Sequence, residues 1–331
     1  MSQGSITGRG DGVGGRPAGR EGHLVAWWAG LPPAAGSAVM ATGIISVGLH
    51  LLGHETLSRA ALALAGAAWL GLAADFAARL LFRRSRWEAE ADTPPALTAV
   101  AATCVLGTRI ALLGRQPLAV ALLVIAAVLW LVLLPAVVRH WGRRMPGAVF
   151  LVCVATQGIA VLSGTLAVTL AKGWLSGVAL AFFCLGLVLY APAFARFDLG
   201  NVRTGAGDQW VAGGAMAISA LAGAKLVAAP LFTGAWHDAL RAVTLILLAL
   251  DLAWYLVLSV AELRRPRPRY DVRRWATVFP MGMTAVATLS VATAADLSWL
   301  EPPGRVLLWV AVAVWLCVFV GTVRSAVRRE R

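Results

Sequence analysis

The chain is short of the residues that soluble chemistry uses. Only 14% of its 331 positions are charged, where a soluble domain carries about a quarter. Its 16 acidic residues and five histidines are scattered, and no HExxH stretch occurs. An embedded enzyme would need a His, Cys or carboxylate cluster at one depth, so the pattern argues against an enzyme. The four cysteines, Cys104, Cys153, Cys184 and Cys317, fall inside apolar runs with no CxxC pair and no ligand spacing, and read as packing residues. No metal and no cofactor are implied. Lysine is nearly absent: arginine supplies 27 of the 29 basic residues, which with the abundant alanine suggests a GC-rich bacterial genome. Residues 1–23 lack any apolar run and are rich in Gly and Arg. They read as a disordered cytoplasmic tail, not as a cleaved signal peptide.

What the chain has in excess is hydrophobicity. Apolar residues make up 59%, and mean hydropathy is +0.76. Runs of the length needed to cross about 30 Å of hydrocarbon recur throughout. They lie near 33–53, 58–82, 94–114, 116–139, 146–167, 173–196, 210–229, 239–262, 275–295 and 304–325. These ten spans predict an all-α integral membrane protein, with 24–331 as one transmembrane domain. The net charge of +13 does not signal nucleic acid. With both termini cytoplasmic, 22 of the 29 basic residues sit in inner segments, as the positive-inside rule requires. Tryptophans near span ends (Trp87, Trp141, Trp174, Trp236, Trp299), with Trp27 and Trp28 ahead of Pro32-Pro33, suit an aromatic belt. The expected location is a bacterial inner membrane.

The spans alternate in character. Gly, Ala, Ser and Thr fill just over half of the odd spans and a third of the even ones; in the last pair the contrast is 12 of 20 against 4 of 18. Small residues let backbones approach closely in lipid, and bulky Leu, Val and Trp suit a lipid-facing shell. The pattern predicts five helical hairpins, with an inner ring of odd helices inside an outer ring of even ones. Ala-Thr pairs recur in span 1 (Ala41-Thr42), span 3 (Ala102-Thr103), span 5 (Ala155-Thr156) and span 9 (Ala287-Thr288), which points to repeated hairpins. The odd helices also carry breakers and mid-membrane polar groups. Broken helices at that depth line a cavity or are buried in protein. The ninth span opens Trp275-Ala-Thr-Val-Phe279-Pro280-Met281-Gly282, an aromatic ring beside a helix breaker, which reads as a kinked pore-lining helix with a plug.

Two motifs resemble a known family. Val39-Met40-Ala41-Thr42-Gly43-Ile44 looks like the VMGTGI of fungal malate permeases and sulfite efflux pumps. Phe279-Pro280-Met281-Gly282, followed by Ala285-Val286-Ala287-Thr288, looks like their FPLG…ALAT and is similar to the plant guard-cell slow anion channels. Together these form the tellurite-resistance/dicarboxylate transporter family, which includes the bacterial TehA proteins. The resemblance covers about residues 30–326, with Ala41 where the family often has Gly. It implies a homotrimer in the lipid bilayer with a separate pore in each subunit. The five odd helices would line it, and a phenylalanine of helix 9, here Phe279, would occlude it.

Candidate roles follow. Phe279 is the gate, and Pro280, Gly282 and Gly43 are the kink set. Thr42, Thr103, Thr156, Gln157 and Thr288 could offer donors to a passing anion, or bond back to helix backbone. Arg109 and Lys225, in the outer thirds of odd helices, could form an anion-attracting vestibule, or snorkel to headgroups. Asp75 and Asp251, on even helices, are expected to pair with Arg or polar neighbours, with proton coupling as the alternative. His50 and His54 read as solvated. The expected partner is a small anion: chloride or nitrate, sulfite, or a C4-dicarboxylate such as malate. Rival readings are a proton-coupled exporter and a non-conducting assembly subunit.

Overall fold

The computed structural model describes residues 35–82, 91–267 and 271–329. The expected tail over 1–23, Trp27, Trp28, Pro32, Pro33 and Trp87 lie outside the described residues. Ten long helices follow in order: α1 Gly36–Leu51, α2 Glu55–Phe82, α3 Thr98–Leu112, α4 Gln116–Arg139, α5 Leu151–Thr169, α6 Gly173–Arg196, α7 Val211–Val227, α8 Ala235–Arg264, α9 Trp275–Ala294 and α10 Glu301–Arg329. Among the described residues, nine spans, counting the turns that lead into some of them, are long and apolar enough to cross a bilayer; the tenth, α1, has 16 residues. The even helices α2, α8 and α10 begin earlier than the sequence reading places them. The sequence reading starts the last helix after Pro302-Pro303, but α10 begins at Glu301. Proline is tolerated in a first turn, where its missing N–H has no partner to lose.

The arrangement is two concentric layers. Consecutive helices pair as hairpins, α1 with α2 through α9 with α10. The odd helices also pack side by side, α1 on α3, α3 on α5, α5 on α7, α7 on α9 and α9 back on α1, so the inner ring closes. Each even helix lies in the groove between two ring helices. Burial follows. Every residue of the apolar stretch leading through α5 is buried, as are 78–89% of those through α3, α7 and α9, but only 6–28% on the even helices. Shell side chains such as Leu70, Leu131 and Val188 face outward, to lipid in a membrane.

Glycine makes the ring tight. A Cβ on Gly282 would stand 2.8 Å from Ile44 across the α9–α1 seam, and one on Gly43 would stand 2.8 Å from Val105 across α1–α3. Gly158 lies against Cys104, Gly164 against Lys225 and Gly214 against Pro280, so every seam has a point where a side chain is omitted. In lipid, where no hydrophobic force presses helices together, such close approach supplies the packing energy.

The ring helices run parallel. A 3-10 turn leads into each of α3, α5, α7 and α9, and the turns Pro94–Leu97, Gly147–Phe150 and Asp208–Trp210 pack in sequence on one another. Gly207, at φ +135°, lies against the Arg273 carbonyl, which brings the start of α9 to the same end. Gly36, which opens α1, lies against Thr98 at the start of α3, so the partial positive charges of the five helix N termini share this starting end.

Candidate functional site on the axis of the ring

A cavity lies inside the ring, and all five odd helices line it: Ile44 of α1, Val105 of α3, Val161 of α5, Ile218 of α7 and Met283 of α9. Its volume is about 20 Å³, where roughly 10–15 Å³ holds one water. The lining is apolar except for the Thr108 hydroxyl, which donates to the Cys104 carbonyl at 2.9 Å. Phe279 is buried, one helical turn from Met283 toward the starting end and on the same face of α9. Met40, also fully buried, stands in the same relation to Ile44 on α1.

The candidate donors are turned the other way. Thr42 Oγ1 donates to the Ala38 carbonyl at 2.8 Å and accepts from Trp315 Nε1 of α10 at 3.0 Å. Thr103 donates to Ala99 and accepts from Trp69 of α2, and Thr156 donates to Val152 and accepts from Trp130 of α4. All three hydroxyls thus face the shell. The cavity residues Ile44, Val105 and Gly158 lie two positions further along each helix, about 200° around it. Gln157 Nε2 donates to the Phe183 carbonyl of α6 at 3.0 Å and packs over Gly186 there. Thr288 donates to the Thr284 carbonyl at 2.7 Å. The kink set stands at ring seams: Gly43 and Gly282 as above, and Pro280, within the continuous α9, against Gly214.

A closed five-helix ring thus holds an axial cavity inside a five-helix shell. The voltage-dependent anion channel family matches residues 30–323. The chain belongs to that family. Two uncharacterized membrane proteins of Mycobacterium tuberculosis, from strains CDC 1551 / Oshkosh and ATCC 25618 / H37Rv, are each 34% identical over 120 residues. That stretch is 34% of this chain and 60% of each relative's length. This member of the voltage-dependent anion channel family is therefore a multi-pass membrane protein.

Its two ring cations differ. Arg109 is fully buried, with Nε donating to Ser58 Oγ at 2.9 Å and Nη2 paired with Glu55 at 2.8 Å, both on α2. Ser58 and Ser46 exchange hydroxyl-to-carbonyl bonds, so the cluster ties α1, α2 and α3 together. Its charge is largely spent in that clasp. Lys225 has no hydrogen-bond or ion-pair partner among the described residues. It lies on the same face of α7 as Ile218 and Leu221, one turn beyond the cavity, and its stem packs on Gly164.

Sequence reasoning missed the apolar lining, whose signal is only a fixed offset from the threonines. His50 is partly exposed and His54 exposed. His50 Nδ1 lies 2.8 Å from Glu55, and His54 packs edge-on against Trp309. Asp75 pairs with Arg79 at 2.6 Å, as its helix position suggested. Asp251 is fully buried, and Thr284 of α9 donates to it at 3.0 Å.

Proposed function

We propose that small anions cross along the ring axis of each subunit, with Phe279 as the occluding gate. The observation that carries this reading is the axial cavity shared by all five ring helices, with Phe279 one turn from its Met283 wall. The starting end of the ring faces the cytoplasm, because most arginines lie in the segments at that end. The protein resides in a bacterial inner membrane, and the family resemblance supports a homotrimer. Lys225, rather than Arg109, supplies the attracting charge at the outer mouth. The apolar walls offer an anion little to replace its water, so selectivity follows dehydration cost and favours chloride or nitrate over sulfite or malate. The hydroxyls of Thr42, Thr103 and Thr156 register helices, that of Thr288 bonds within its own helix, and conduction is left to width and field.

The test is reconstitution in planar bilayers, recording wild type beside Phe279→Ala with chloride, nitrate, sulfite and malate. An anion current that appears or rises in the variant supports the gate, and reversal potentials rank the anions. Silence in both, with pH-dependent uptake of labelled malate or sulfite, indicates the proton-coupled exporter instead. No anion movement in either assay indicates a non-conducting subunit.

A further inference from the structure

Each shell helix is tied by a polar clasp to the next ring helix. Three clasps are indole to threonine: Trp69 to Thr103, Trp130 to Thr156 and Trp315 to Thr42. A fourth is the Tyr190 hydroxyl of α6 donating to the Ala212 carbonyl of α7 at 3.4 Å. The fifth, from α8 to α9, uses a carboxyl. Asp251 Oδ1 accepts from Thr284 Oγ1, while Oδ2 is buried with no hydrogen-bond partner among the described residues. Opposite, on α7, is Gly213, where a Cβ would stand 3.9 Å from Oδ1. The titratable side chains near Asp251 are Tyr190 of α6 and Tyr255 of α8, neutral phenols that supply no counter-charge. Neither α7 nor α9 sets a cation against it among the described residues. A carboxylate here is a buried charge without a counter-ion, which costs far more than the neutral acid.

We propose that Asp251 is a proton-binding site that biases the gate helix. Protonated, it seats α8 against the α7–α9 seam. Ionised, it draws toward water and loosens that seam. The consequence reaches the axis because α9 carries Phe279, Met283 and the Thr284 donor, and because Gly213 adjoins the Gly214–Pro280 contact. Anion flux therefore rises with pH. The inference rests on the reading of Phe279 as the gate of an anion path.

The experiment has two arms on the full-length protein in lipid, from about pH 5 to about pH 9. Infrared spectroscopy should show a protonated-carboxyl band that is absent in Asp251→Asn and fades in wild type as pH rises. Chloride flux in liposomes at symmetric pH should rise by up to about tenfold per pH unit below the midpoint and level off above it. Asp251→Asn should stay near the low-pH rate. A missing band, a band unchanged through the range, or a wild-type pH profile in Asp251→Asn overturns the proposal. If Asp251→Asn does not fold, Thr284→Val removes the donor that favours the carboxylate and should move the midpoint to higher pH; an unmoved midpoint also overturns it. Absence of flux in both wild type and Phe279→Ala counts against the permeation reading alone, and the infrared arm then decides the proton site.

Discussion

Replacing Phe279 with alanine separates a gate from a core residue, because the two roles predict opposite balances of stability and flux. The ring is 1% exposed and lies one turn from the cavity wall at Met283. Moving a buried phenylalanine aside forfeits the burial free energy of its side chain, about 1.5–3 kcal/mol. A gate held shut by that amount is open for a fraction of roughly 1/13 to 1/160 of the time, since RT is about 0.6 kcal/mol. Truncation removes the penalty, so chloride flux from liposomes should rise by roughly 10- to 150-fold. The control is Phe150→Ala. Phe150 is equally buried, but it packs off the axis against Tyr190 and Phe197. That change should cost about 3–5 kcal/mol of stability, as core Phe→Ala changes do, with no gain in flux. Equal loss of thermal stability in the two variants, with unchanged flux in both, would refute the gate.

Three further outcomes follow from the placement of side chains. Thr156→Val should leave the ranking of anions unchanged, and its destabilisation of about 1–3 kcal/mol, from the unpaired Trp130 N–H, should be partly relieved in the double variant with Trp130→Phe; a double-mutant cycle of melting measurements checks this. Arg109→Met should lower the melting temperature by several degrees while anion selectivity holds, since the guanidinium is committed to Glu55 and Ser58. Lys225→Gln should lower flux several-fold at low ionic strength, with the difference vanishing near about 1 M salt, where the screening length is about 3 Å; a salt-independent effect would deny it the vestibule role.

The layers of this protein are legible in its sequence because they depend on composition along each helix. Hydropathy sets where a span lies. The excess of Gly, Ala, Ser and Thr sets which spans can approach closely enough to form a ring, and Gly43, Gly164, Gly214 and Gly282 sit at close approaches across its seams. Which side chain faces the axis is another matter. One position along a helix turns a side chain by about 100°, so Thr42 and Ile44 look alike in depth yet face opposite ways. Only the neighbours decide. Trp315 lies 273 residues from Thr42, Glu55 lies 54 from Arg109, and Asp251 lies 33 from Thr284. The sequence by itself determined the membrane class, the five hairpins and the two rings, because solvation and close packing act on local composition. The tertiary structure alone decided that the threonines serve the shell, that Arg109 is paired while Lys225 is not, and that an apolar cavity lies on the axis. Those facts depend on which faces meet when the ring closes.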